Sequence, residues 1–418
     1  MNKIKLREIC KPNQIGKYGI PASAEDFTID KTRYLRISDI DDNGNLLNND
    51  KKSVSSQEIE KYILEEGDIV FARTGNSTGR TYYHENKNGI LAYAGFLIKY
   101  GLDSKKVNPK YVKYFTTTQE YKQWVKNLSV GSTRGNINAQ TFADCPIILP
   151  NRNQQDLLVS ILSVLDDKIE LNNSINAELE QMAKTLYDYW FLQFDFPNEN
   201  SKPYKSSGGK MVYNEVLKRE IPEGWKINFL SEINSELVRG ISPKYSDSNG
   251  IPVINQRCIR NNTIDFSLCR LHNVQLKPVK KIIKIGDVLV NSTGVGTLGR
   301  VAIVKRLENP QTTVDSHVTI VRANINLVDP LFLGFSLVSK QVEIEKLGEG
   351  STGQTELSRE NLGKLPILLP KQNLQNDFAS IIKPLFEKIS NNEKQNLELA
   401  SLRDWLLPML MNGQVKVE

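Results

Sequence analysis

Gly67-Asp68-Ile69-Val70-Phe71-Ala72-Arg73-Thr74-Gly75 recurs 219 residues later as Gly286-Asp287-Val288-Leu289-Val290-Asn291-Ser292-Thr293-Gly294. Working outward, Gly131-Ser132-Thr133 returns at the same spacing as Gly350-Ser351-Thr352. Pro146-Ile147-Ile148-Leu149-Pro150 returns as Pro366-Ile367-Leu368-Leu369-Pro370, and each copy leads into a long helical pattern. A repeat this long is not a solenoid period of roughly 20–50 residues; it is a whole domain and its helix, duplicated. The expected class is α+β: two mixed α/β domains with an internal pseudo-twofold repeat, separated by a long antiparallel two-helix coiled coil.

The chain's 418 residues are too many for one core. Its 39% hydrophobic and 24% charged composition is that of an ordinary globular protein. No apolar run approaches the ~18 residues of a membrane span, so no membrane association is expected. Met1-Asn2-Lys3-Ile4-Lys5-Leu6 lacks a secretory core, and Cys10, Cys145, Cys258 and Cys269 have no metal-type spacing. Reduced thiols and a cytoplasmic location are the expectation. Residues 1–150 carry 22 Lys and Arg against 17 Asp and Glu, residues 210–370 carry 21 against 16, and residues 151–194 carry 3 against 7. Positive charge therefore sits in the repeated domains, which suits a polyanion held by both and equally suits two mildly basic domains without that role.

Five segments are expected: domain one over 1–150, a first long helix over 151–194, a linker over 195–220, domain two over 221–370, and a second long helix with a tail over 371–418. Strands are expected at Arg33–Ile40, Asp68–Ala72 and Leu91–Tyr100, with helix at Pro109–Leu128. Counterparts are Pro252–Ile259, Asp287–Asn291 and Val318–Arg322. Asp41–Asn45 and Asn261–Thr263 read as turns. Seam residues Leu158, Leu162, Leu165, Ile169, Asn172, Asn176, Leu179, Ala183, Leu186 and Trp190 alternate spacings of four and three, and the same seam recurs from Phe378 to Leu410. Antiparallel pairing sets Asn172 against Asn396, Asn176 against Asn392 and Trp190 against Phe378. Facing asparagines satisfy each other's amides and penalise a slip in register. Pro384 and Pro408 predict kinks or ends in the second helix.

Chemistry is sparse. Gly75-Asn76-Ser77-Thr78-Gly79-Arg80 and Gly294-Val295-Gly296-Thr297-Leu298-Gly299-Arg300 lack the Gly-Lys-Ser/Thr ending of a nucleotide-phosphate loop. Two readings remain for them: tight strand connections, or turns whose glycines let amides approach a nucleic-acid backbone, with Arg80 and Arg300 on phosphate. His84, His272 and His317 sit near no carboxylate pair, which favours structural or solvent-facing roles, and no nucleophile elbow or zinc signature is present. Base reading needs polar side chains held at groove edges. Arg36, Asn255, Gln256 and Arg257 lie at matching places early in the domains and either face DNA or are solvated strand residues. The repeated segments add Arg73, Thr74, Ser77, Ser132, Thr133, Arg134, Ser292, Thr293, Ser351, Thr352 and Gln354 to the candidates.

The pattern resembles a specificity subunit of a type I restriction–modification system. The residues that carry this are Asp195-Phe196-Pro197, Pro203-Tyr204-Lys205, Ser207-Gly208-Gly209-Lys210, Ile221-Pro222-Glu223-Gly224-Trp225 and Leu406-Leu407-Pro408-Met409-Leu410-Met411-Asn412-Gly413, besides the two Gly-Asp segments. The resemblance implies double-stranded DNA recognition without catalysis, one part of a split site per target-recognition domain. It also implies assembly with two modification (methyltransferase) subunits and with restriction (translocase/endonuclease) subunits. No cofactor is expected in this chain; S-adenosylmethionine, ATP and Mg are expected on the partners. Two other readings compete: a duplicated adaptor for proteins only, tested by duplex binding, and a nuclease with an unrecognised site, tested by activity of the isolated chain.

If the paired helices set the spacing of the two half-sites, four residues inserted after Asn176, about one helical turn, should change the number of unread bases between them. Methylated-site mapping with an insertion variant that circular dichroism shows to be folded checks this; an unchanged spacing removes the ruler role.

Overall fold

A computed structural model of the chain describes residues 2–48, 50–129, 136–350 and 355–411. It divides into two compact units, one of residues 1–170 with 396–418 and one of residues 171–395. Each unit therefore holds one recognition-type domain and a portion of both long helices.

In the first unit a strand at Asn2–Lys5 pairs antiparallel with Pro146–Leu149, so the domain closes on its own beginning. A four-stranded antiparallel sheet runs in the order Lys17–Tyr18, Leu97–Gly101, Asp68–Ala72, Thr81–Tyr83. A second runs Glu25–Asp26, Lys52–Ser53, Arg33–Leu35, Leu91–Tyr93, its last pairing parallel. The second unit repeats all of this. Lys226–Phe229 pairs with Pro366–Leu369. One sheet runs Asn234–Arg239, Val318–Ala323, Val288–Asn291, Val301–Ile303, and the other Tyr245–Ser246, Arg270–His272, Ile251–Ile254, Thr313–Val314, again ending in a parallel pairing.

The recurring Gly-Asp is the entry to the central strand of each first sheet. Gly67 and Gly286 have φ of +85° and +89°, a left-handed turn that glycine adopts at least cost. The following carboxylate closes the turn: Asp68 Oδ2 accepts the Glu65 amide proton at 2.9 Å, and Asp287 Oδ2 that of Lys284 at 2.7 Å. Both aspartates are buried, so each needs a cation. Lys99 Nζ reaches Asp68 at 3.0 Å, and Arg322 grips both oxygens of Asp287 at 2.8 and 2.7 Å. Burial still pushes the Asp68 carboxyl above its ordinary range, because one lysine and one amide only partly offset the lost water.

Each closing strand passes into its helix through a buried glutamine. Gln155 Nε2 donates to the Pro150 carbonyl at 2.8 Å while its Oε1 accepts the Asn108 amide proton at 2.8 Å. Gln375 does the same with Pro370 at 2.9 Å and Asp329 at 2.9 Å. The carbonyl before a helix has no intrahelical partner, and this side chain supplies it. The helices run over Arg152–Tyr187, closing in a wider π turn over Asp188–Leu192, and over Gln372–Met411. The second ends at neither Pro384 nor Pro408. The single hydrogen bond each proline removes is outweighed by burial of Phe378, Ile382, Phe386 and Ile389 around the first and of Leu407 and Met411 around the second.

Within the second unit the helices pack antiparallel. Trp190 and Phe378 lie 6.1 Å apart, and Asn392 Nδ2 donates to Asn176 Oδ1 at 2.8 Å, both asparagines buried. Asn172, expected against Asn396, donates to Gln395 Oε1 at 2.8 Å. Within the first unit Asp166 joins the helices through Arg403 at 3.0 Å and also accepts from Lys113 and Tyr114. Burial works to raise the Asp166 carboxyl, but Lys113 and Arg403 outweigh it and hold it below the usual range.

The strand expectations needed three corrections, the first at Pro252–Ile259, which is a strand only to Ile254 and then a turn through Gln256–Cys258. Arg33–Ile40 is a strand only to Leu35, then a short 3-10 turn over Ile37–Asp39 because the Asp39 carboxylate caps the Arg36 amide. Leu91–Tyr100 is two strands in different sheets, broken at Ala94-Gly95-Phe96. The helix expected over Pro109–Leu128 is two, Pro109–Phe115 and Gln119–Ser129. The Pro, Gly and Ser-rich segment 195–220 is packed rather than loose: Phe196 stacks between Tyr204 at 4.6 Å and Trp225 at 5.3 Å, and Asp195 accepts from Ser206.

Replacing Asn392 alone by Leu should destabilise the chain by about 1–3 kcal/mol, since it strands the Asn176 amide; replacing both by Leu should recover most of that loss. Urea unfolding of the full chain across this double-mutant cycle reads the difference.

Candidate nucleic-acid interface

The two glycine-rich turns fold alike. Gly75–Ser77 forms a 3-10 turn, the Gly79 amide donates to the Ala72 carbonyl at 2.8 Å, and Arg80 closes the loop. In the second unit the Gly299 amide donates to Asn291 at 2.8 Å and Arg300 takes the place of Arg80. Both arginines are half-buried and already bonded. Arg80 donates to the Ile40 carbonyl at 3.1 Å and pairs with Asp42 at 2.7 Å; Arg300 donates to the Ile259 carbonyl at 3.3 Å and to Gly296 at 2.8 Å. Each ties its glycine turn to the turn after the edge-reading segment.

The other candidates separate by burial. Arg36 grips Asp39 at 2.6 and 3.0 Å and also meets Asp50, so its Nε and Nη2 donors are engaged by carboxylates. Asn255 is buried and organises its own loop, accepting the Arg257 amide proton at 2.9 Å. Ser292 is fully buried with its hydroxyl against Thr319, so direct contact by this side chain is excluded in this conformation. Arg73 donates to Asn136 Oδ1 at 3.3 Å and lies over the Tyr18 ring at 5.0 Å, with no carboxylate partner among the described residues. Thr74 and Ser77 are half-exposed in the same turn, and Thr74 bridges to Asn136. Gln256 and Thr293 are half-buried and Arg257 is exposed. Thr293 bridges to Glu356. Ser132, Thr133, Arg134, Ser351, Thr352 and Gln354 lie outside the described residues.

Two residues that sequence reading passed over complete the turns. The Arg73 amide donates to the carbonyl of Phe96 at 3.0 Å, and the Ser292 amide donates to that of His317 at 2.8 Å. Phe96 and His317 are thus the same position in the two units, and both are exposed. Beside His317, Tyr245 is stacked by Arg270, its guanidinium 3.5 Å from the ring centroid. A sequence signal existed: Gly19-Ile20 and Gly240-Ile241 also repeat. A Cβ on Gly19 would collide with the Tyr93 and Ala94 carbonyls, and one on Gly240 with those of Val314 and Asp315. These glycines let the first strand lie against the backbone that leads into the exposed turn.

The remaining histidines are structural. His272 is buried, its Nδ1 accepting from the Lys244 amide and its Nε2 donating to the Lys277 carbonyl, each at 2.8 Å. Burial beside Tyr82 holds His84 below its usual range. The cysteines form no disulfide, and burial pushes the Cys10 thiol up to about 12. Among the described residues no group of three or more His, Cys, Asp or Glu side chains could hold a metal ion, and no helix is long and apolar enough to cross a membrane.

One backbone plan used twice, with different side chains on the same exposed turn, is the construction of a two-part binding protein. The chain belongs to the type I restriction–modification specificity family: the model of the type I restriction modification DNA specificity domain matches residues 1–181 and again 222–400. Specificity subunits of this family are non-catalytic. Among its relatives, the MjaIX specificity subunit of Methanocaldococcus jannaschii is 28% identical over 314 residues, covering 74% of this chain and 69% of the relative. The HindI specificity subunit of Haemophilus influenzae is 22% identical over 416 residues, covering 85% and 88%. The crystal structure of a type I restriction–modification S subunit from M. genitalium shares the fold, with a TM-score of 0.52 at 18% identity over 98% of this chain and 95% of that one.

Gly299→Ala should cost about 3 kcal/mol or more, because φ of +81° is combined with a Cβ 2.6 Å from the Glu345 Cα. Gly75→Ala, at φ of +73° with open space around it, should cost about 1 kcal/mol. Thermal unfolding of the two variants tests the contrast.

Proposed function

We propose that this chain recognises a bipartite sequence in double-stranded DNA, one part with each domain, and docks the modification subunits of a type I complex. S-adenosylmethionine, ATP and Mg then belong to partner subunits, including a restriction subunit where one is present. The observation that supports this best is the repeated turn: Tyr18 and Phe96 in one unit correspond to Arg239 and His317 in the other on the same hydrogen-bonded backbone, and the half-exposed Arg73 gives way to the buried Ser292. Equal scaffolds with unequal exposed side chains suit two different base sequences. Phosphate contacts position a protein on DNA, whereas side chains at base edges select the sequence. In the first unit Arg73, held over Tyr18, is the cation best placed for this. In the second, Gln256, Arg257, Thr293 and Arg270 surround His317.

Exchanging residues 1–150 for the first domain of another specificity subunit should change one half of the methylated site and leave the other intact. Methylome sequencing of cells carrying the hybrid reads this. A change in both halves would refute independent readout, and no sequence-specific methylation with the unaltered chain would refute the function itself.

A further inference from the structure

In the first unit Arg73 is held at both its backbone and its side chain. Its amide donates to the Phe96 carbonyl and its carbonyl accepts from the Ile137 amide, each at 3.0 Å, so the residue is pinned between two neighbouring segments. Its guanidinium carbon lies 5.0 Å from the centre of the Tyr18 ring, and the Tyr18 hydroxyl accepts from the Ala139 amide at 3.3 Å, which steadies the ring in turn. Nε and Nη2 both donate to Asn136 Oδ1 at 3.3 Å. The side chain is half-exposed, and no carboxylate reaches it among the described residues.

The protons left over decide what this group can meet. A guanidinium carries five N–H donors in a fixed plane. Asn136 takes one from Nε and one from Nη2, which lie on the same edge. The second Nη2 proton and both Nη1 protons remain. One from each nitrogen points off the end of the fork, giving two parallel donors suited to two acceptors side by side.

Two observations favour a base edge over a phosphate. Phe96 stands beside the fork and is 60% exposed. Pressing an apolar ring against a phosphate strips water from a charge that the ring cannot pair. Against a base edge the ring meets carbon, including a thymine methyl. The second observation is divergence. Phosphate is the same along any sequence, so contacts to it gain nothing by differing between the domains. Here they do differ, since the buried Ser292 stands in place of Arg73 and His317 in place of Phe96. In the major groove guanine shows two acceptors, N7 and O6; adenine sets N7 beside an amino donor, thymine shows one acceptor beside a methyl, and cytosine shows a donor.

We propose that Arg73 is a specificity-determining residue of the first domain, donating from Nη1 and Nη2 to the N7 and O6 edge of one guanine, with Tyr18 as the positioning residue. This rests on the chain being a DNA-recognition subunit.

The test is selection of the full chain on a randomised duplex pool, followed by binding to the selected site. The unaltered chain should select guanine at a position where Arg73→Ala lowers the preference roughly ten-fold or more, every other position being kept. Tyr18→Ala should weaken the preference for the same guanine alone, and Tyr18→Phe, which keeps the ring, should restore most of it. Replacing that guanine by 7-deazaguanine should weaken the unaltered chain and leave Arg73→Ala indifferent. Indifference of the unaltered chain to 7-deazaguanine at every selected guanine would overturn the proposal, whether or not any variant folds. So would a weakening by 7-deazaguanine that persists in Arg73→Ala, or an Arg73→Ala chain with its preferences intact. An Arg73→Ala chain that binds all sequences more weakly, with a salt slope smaller by about one unit, would make the residue a phosphate contact and overturn it too. If the unaltered chain binds duplex but selects nothing, or binds no duplex, the recognition function itself falls, and this assignment with it.

Discussion

The buried aspartate at the entry to each central strand is the interaction on which both units depend. A left-handed glycine turns the chain, and the next carboxylate must find both the turn's amide and a cation inside the domain. Removing Asp68 would leave Lys99 as an uncompensated buried charge, which costs more than the ion pair contributes, whereas Arg322 would keep Glu236 on loss of Asp287. The two units meet this constraint differently. Lys99 and Arg322 occupy different places on their strands, yet each brings its charge to the same carboxylate. What is preserved is a buried acid paired with a cation, and with it the position of the strand that ends in the glycine-rich turn.

From that strand the exposed surface follows by backbone hydrogen bonds. The amides of Arg73 and Ser292 hold the carbonyls of Phe96 and His317, and Gly19 and Gly240 allow a neighbouring strand to lie against the same turn. Arg80 and Arg300 tie the glycine turn back to the segment before it. None of these bonds uses the side chain at the 96/317 position, so that side chain is free to differ between halves while the backbone beneath it does not. A binding surface that changes its preference without refolding needs this separation.

The long helices show the same economy of polar groups. Gln155 and Gln375 each satisfy a carbonyl that the helix cannot, and Asn176 and Asn392 satisfy each other in an otherwise apolar seam. A shift in register would set these amides against leucine or isoleucine, so they select one alignment at some cost in stability. The acid Asp166 does comparable service in the first unit, where Lys113 and Arg403 keep it ionised.

The sequence alone determined the duplication, the α+β class, the heptad seam and its asparagines, because these rest on local periodicity and on identity between copies. Asp68–Ala72 could be read directly, since a glycine turn and a run of apolar β-formers need no distant partner to be recognised. The candidate interface was legible only in part. Arg36 and Arg80 looked available, yet each is already paired with a carboxylate, Arg36 with its near neighbour Asp39 and with Asp50, and Arg80 with Asp42. Ser292 looked like a reader and is buried, because its short side chain stays against the Thr319 hydroxyl beneath the turn, where the longer Arg73 of the first unit reaches out over Tyr18. His317 looked incidental. Thr293 and Gln256 lie 24 and 61 positions away in the chain, and only tertiary packing brings them to the same exposed turn as the imidazole. Periodicity records which face of an element is apolar; which polar groups neutralise one another is a matter of distance in space, and that only the folded chain decides.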